Sequence, residues 1–137
     1  MKRAILLFAL LLLVGLAGYG QATPHWANAA VVEWDAPTAL SDGSPIPAGE
    51  VVLYDVLVAP MADRASFIAQ SQVSVAESPV TAPGPGDWLV GVRSVRIIDE
   101  QQLPSTILWS DDPSNPEPFF LRYALPYGEP GSIRFRL

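Results

Sequence analysis

From residue 30 onward, apolar and polar positions alternate in short bursts separated by turn-rich segments. Val32 and Trp34 share one side of a first run, with Val31, Glu33 and Asp35 on the other. Residues 36–48 form a long turn dense in Pro, Ser, Asp and Gly. After it, Val52, Tyr54, Val56 and Val58 fall on one side of a run over 51–58. A period of two bounded by turn residues predicts strands. The longest predicted strand spans 88–98, where Trp88, Val90, Val92 and Ser94 face one way and Leu89, Gly91, Arg93 and Val95 the other. It follows Pro83-Gly84-Pro85-Gly86-Asp87, a strong chain reversal. Shorter runs lie at 66–69, 72–75, around Val80, at 107–110 and at 119–125. Residues 23–29 read as a lead-in or an edge strand, 99–103 as a polar loop tip and 111–118 as a turn. The tail over 132–137 alternates again, Ile133, Phe135 and Leu137 against Arg134 and Arg136. Turn signals every 8 to 12 residues and no sustained helical period predict an all-β sandwich of about seven antiparallel strands. The fourteen prolines then sit at strand ends and in turns.

The start of the chain follows a different rule. Lys2 and Arg3 precede an apolar run over 4–17, and Gly20-Gln21-Ala22 presents small residues. This is the layout of a secretory leader helix, ending at Ala22 or, through Ala27-Asn28-Ala29, at Ala29. The run is shorter than the roughly 20 residues that span a bilayer, so no stable membrane span is expected after cleavage. The expected organisation is a leader at 1–22, a lead-in at 23–29, a sandwich at 30–125 and a tail at 126–137. Export to the periplasm or the cell exterior follows. With no cysteine there is neither a disulfide nor a Cys-linked lipid anchor. About 115 residues can bury enough apolar surface to do without disulfides. Loss of the leader leaves six Lys and Arg against fourteen Asp and Glu, a net charge of −8. Such a surface repels phosphate backbones, so no nucleic-acid partner is expected.

Candidate chemistry is sparse. His25 is the sole histidine and has no second His or Cys with which to form a metal site or a nucleophile–base pair. Asp99-Glu100 and Asp111-Asp112, with Asn115 nearby, offer oxygen ligands but not the spacing of a calcium loop. Carboxylate pairs alone do not make a glycosidase. The expectation is a non-catalytic protein with no cofactor and no metal. Trp34, Tyr54 and Trp88 fall on inward positions, whereas Trp26, Trp109 and Tyr127 fall outside that alternation; exposed, they could stack on a sugar or anchor a protein, and the other reading folds Trp109 back over the end of the sandwich.

Several of these motifs together resemble a fibronectin type III domain. Val32-x-Trp34-Asp35-x-Pro37 is similar to its B strand, and Ser41-Asp42-Gly43-Ser44-Pro45-Ile46 to the following turn of bacterial members. Tyr54-x-Val56 is similar to its C strand. Pro83-Gly84, followed by Trp88-x-Val90-x-Val92-x-Ser94, resembles the E–F turn and F strand, and Leu108-Trp109-Ser110 the approach to the G strand. The resemblance covers about 30–125 and implies an immunoglobulin-like sandwich. Two departures stand out. Trp88 occupies the place of a tyrosine whose hydroxyl bonds back to the preceding turn, so that bond is not carried over. The stretch from Asp99 to Phe119 also exceeds a simple F–G hairpin.

The far side of the two central strands carries the partner expectation. Val51, Leu53 and Leu57 share it with Asp55, and in the resembled fold Leu89, Arg93 and Val95 lie alongside. A solvated sheet face should be mostly polar. This one is apolar, so a partner chain or the protein's own tail is expected to cover it. Leu53, Leu57, Leu89, Arg93, Trp109 and Phe135 are the candidate partner-binding residues. The expected role is a secreted binding or adhesion module for an extracellular protein or carbohydrate. The alternative is a self-associating structural subunit that adds its tail as a strand.

Overall fold

The computed structural model describes residues 22–137. The leader, apart from Ala22, lies outside the described residues. Within them the chain forms nine strands and no α-helix: β1 (Thr23–Trp26), β2 (Ala29–Glu33), β3 (Leu53–Pro60), β4 (Ile68–Val73), β5 (Glu77–Thr81), β6 (Gly86–Ile98), β7 (Gln101–Pro104), β8 (Leu108–Trp109) and β9 (Phe119–Tyr123). A single 3-10 turn at Arg64–Ser66 precedes β4. The two short strands expected over 66–75 are therefore one strand with a 3-10 entry, because Asp63 accepts from the Ser66 hydroxyl at 2.6 Å and tightens the chain there.

Seven strands form one sheet, in the order β1-β9-β6-β3-β4, with β7 and β8 also paired to β6; β2 and β5 form a second sheet of two. Contrary to the all-antiparallel expectation, the large sheet is mixed, since β1 runs parallel to β9. The small sheet lies over one face of the large one. Val32 and Val80 meet Val56, Val90 and Leu121, with Trp34, Val73, Trp88 and Phe119 packed around them. Of these, the alternation assigns Val32, Trp34, Val56, Trp88 and Val90 to the inside. Each fully buried Val or Leu contributes about 1.5–3 kcal/mol through surface removed from water.

The two tryptophans are packed against this core but only half-buried. Trp34 meets Tyr54 edge-on at 5.2 Å, and its buried Nε1 has no acceptor. Trp88 Nε1 donates to the Gly84 carbonyl at 2.8 Å. The back-bond to the turn, expected to be missing without a tyrosine hydroxyl, is thus made by an indole N–H.

Beyond β6 the chain makes a tight reversal at Asp99 and Glu100, both with positive φ (50° and 65°). Residues 101–103, expected as part of a loop tip over 99–103, return in β7. The backbone then touches β6 three times, as β7, β8 and β9, leaving gaps between. Two serines fill those gaps. Ser105 Oγ accepts from Ser94 N–H at 3.0 Å, and Ser110 Oγ accepts from Val90 N–H at 3.1 Å. The same serines donate their own N–H groups back to the Ser94 and Val90 carbonyls. Hydroxyls thereby replace the strand carbonyls that a continuous edge would supply, as buried amides require.

A skipped residue closes one side of the two-sheet stack. The β3–β4 register shifts between Val56 and Leu57, which leaves Gln70 unmatched. Its freed side chain accepts from Thr81 N–H at 3.0 Å and donates to the Thr81 carbonyl, joining β4 to the outer edge of β5.

Two expectations follow for stability. Ser110→Ala strands the buried Val90 amide and should cost about 1–3 kcal/mol in urea unfolding, against a few tenths for Ser114→Ala on the exposed loop. Trp88→Phe should cost about 0.5–1.5 kcal/mol more than Trp34→Phe, because only the first removes a made hydrogen bond. Equal costs for the two would show that the Gly84 bond contributes nothing.

Candidate functional site

The candidate partner-binding residues lie in three different situations. Leu57 and Leu89 are on the outer face of the large sheet with no exposure at all. What covers them is neither a partner nor the tail but two segments of the same chain. Gly91, opposite Leu57 in register, has no side chain, and the Trp109 ring and Ile107 lie over it; a Cβ at Gly91 would stand 2.7 Å from Trp109 and 2.8 Å from Ile107. Phe67, from the β3–β4 connection, reaches the Trp109 ring at 6.4 Å. Arg64 holds the two covering segments together through both Asp111 carboxylate oxygens, at 2.9 and 3.3 Å. Pairs this exposed contribute about 0.2–1 kcal/mol.

Arg93 is committed within the chain. It donates to Asp55, its cross-strand neighbour, at 2.9 Å, and its guanidinium lies over the Phe67 ring at 5.6 Å. Gln72 donates to the other Asp55 oxygen. Leu53 is half-buried at the end of this face. Leu57, Leu89, Arg93 and Trp109 therefore share one sheet face, with the two leucines buried by the chain itself. Phe135 does not join them. The tail pairs with no strand, and Ile133 and Phe135 are 99% and 90% exposed.

An open site lies elsewhere, on the side of the stack that Gln70 does not close. A cleft of about 590 Å³ separates β2 from the segment between β8 and β9. Val32, Trp34, Val90, Val92 and Phe119 give it an apolar lining, and the exposed Glu33, Asp35 and Glu117 an acidic one. Asn115 stitches the far wall by donating to the Trp109 and Ser110 carbonyls at 2.9 and 3.2 Å. Its neighbour Asp112 accepts from the Ser114 hydroxyl and N–H, which hold its carboxyl below the ordinary value. Ser44 does the same for Asp42, and the Arg122 guanidinium for Asp87, with Arg122 raised in return. These shifts belong to turns and to a β6–β9 ion pair, outside the cleft.

The backbone along the cleft is as informative as its side chains. Trp34 N–H donates to Ala76, and Ala82 N–H to Asn28. The even positions of β2 thus face β5, and Ala29, Val31 and Glu33 turn their N–H and C=O groups the other way. No strand pairs there among the described residues. The edge is open because β1, after a two-residue corner at Ala27 and Asn28, joins β9 instead of lying beside β2. No sequence motif marks this site, since it arises from a pairing choice; the acids at 33, 35 and 117 are its only trace. No family model, curated protein or solved structure matches the chain.

Gly91→Ala should displace the Trp109 ring and cost about 1–3 kcal/mol through overpacking. Its near-ultraviolet circular dichroism and urea midpoint would both change. An unaltered midpoint would mean that Trp109 does not hold the outer face.

Proposed function

We propose that this chain is an exported, non-catalytic binding module with a fibronectin type III-like, immunoglobulin-like sandwich, and that it grips an extended polypeptide in the cleft beside β2. The carrying observation is the unpaired β2 edge bordering an apolar, acid-flanked groove. An extended segment satisfies such an edge through its own main chain, while alternate side chains enter the groove. Carboxylates at Glu33, Asp35 and Glu117 favour a partner with basic residues on its outward positions. The lining contains one hydroxyl, Ser110, and that group is committed to the Val90 amide.

The strand arrangement supports the resemblance. On this reading β2 and β5 would correspond to strands B and E, and β3, β6 and β9 to C, F and G. The leader read from the sequence, the net charge of −8 without it and the lack of cysteine fit an exported module that folds on apolar burial.

Peptides selected from a random library on the protein without its leader should alternate apolar and basic residues. Glu33→Arg should weaken their binding about tenfold or more, and Leu53→Ala, on the opposite face, should not. Selection of a glycan from an array instead, with binding lost in Trp109→Ala, would overturn the polypeptide reading.

A further inference from the structure

We infer that the occupant of this cleft is the C-terminal tail of a second copy of the same chain. The inference rests on the reading of the cleft as a polypeptide site and goes further by naming the polypeptide. The tail has the chemistry that the groove lacks. Ile133, Phe135 and Leu137 stand alternately along it and are exposed almost completely. Three large apolar groups left in water at every second position have no role in the folded body. In an added strand all three would face the lining of Val32, Trp34, Val90, Val92 and Phe119.

Arg134 and Arg136 occupy the opposite side. The other described arginines, at 64, 93, 96 and 122, each hold a carboxylate of the body. The two tail arginines are, among the described residues, the ones outside any ion pair. The place they would reach needs cations. Glu33 and Glu77 lie directly opposite each other across the small sheet, with Asp35 just beyond. Like charges in that position destabilise a sheet, and a strand carrying arginine on the same face relieves them.

The geometry favours a second copy over the chain's own tail. The tail leaves β9 at Tyr123, level with Gly86, whereas the cleft lies beside Phe119 at the other end of β9. Its own tail would have to reverse and run back past that strand on a linker stiffened by Pro126 and Pro130. Tail-to-edge contacts join different surfaces, so they build rings or open chains rather than a two-fold dimer.

Light scattering on the protein without its leader tests this. The expected result is a mass above that of the monomer, rising with concentration. Ile133→Asp with Phe135→Asp, both at exposed positions, should give a monomer with an unchanged urea midpoint. Glu33→Arg should weaken association about tenfold. Adding Arg134→Glu and Arg136→Glu to that chain should restore it, which a simple loss of folding could not do. A monomer at every concentration overturns the inference, as does association indifferent to Glu33→Arg. A monomer whose tail amides resist hydrogen exchange overturns it by placing the tail in its own cleft. Should library-selected peptides bind the cleft of a chain that ignores its own tail sequence, the tail assignment falls and the polypeptide site stands. Should neither bind, both fall.

Discussion

The central pair of strands, β3 and β6, is apolar on both faces, and the rest of the molecule is arranged to cover it twice. Val56 and Val90 look toward the small sheet, whereas Leu57 and Leu89 look the other way, and all four are buried. An antiparallel pair ordinarily needs only one dry face. Here the second face draws on the two connections flanking it: Phe67 from the entry to β4, and Ile107 with Trp109 from the return after β7. Gly91 is what permits the cover. Any side chain there would occupy the space that the indole fills.

That double cover explains the broken edge beside β6. To bring Ile107 and Trp109 over Gly91, the chain must leave the ladder after β7 and again after β8. Each departure threatens an amide on β6, and the Ser105 and Ser110 hydroxyls answer by accepting in the place of strand carbonyls. A similar economy operates at Trp88, where an indole N–H ties β6 to the turn before it. On β4, a one-residue shift frees Gln70 to pair with Thr81 as a backbone amide would. In each case a side chain takes over a main-chain role where the strand pairing is interrupted.

Much of this was legible in the alternation. The inward sets Val32, Trp34 and Tyr54, Val56, Val58 were correctly grouped, as were the two faces of β6, because period-two burial is a local property of the chain. The sequence also revealed that the outer face was apolar and had to be covered. It could not reveal the cover, because that depends on a glycine meeting residues sixteen and eighteen positions later. Nor could it show β1 pairing in parallel with β9, since Thr23–Trp26 is equally at home on either sheet's edge. The open side of β2 follows from that choice alone. The sequence groups Phe135 with Leu57 and Leu89 as a partner-binding residue, whereas the structure buries the two leucines and leaves Phe135 exposed.

The acids along β2 bear on how an open edge is kept from indiscriminate pairing. Exposed edges invite strands from any neighbour, and charge is a common defence. Glu33 and Glu77 sit side by side at one end of the small sheet, at a local cost, on a body already strongly acidic. Two such bodies repel each other edge to edge, so β2 rejects a second β2. The same charge does not repel a segment bearing arginines on its outer side, and it adds attraction where an uncharged edge would add none. Specificity is a difference between partners, achieved as much by what is refused as by what is bound. An open edge guarded by carboxylates is therefore selective by sign. On the reading proposed above, the strand it admits is apolar on one side and basic on the other.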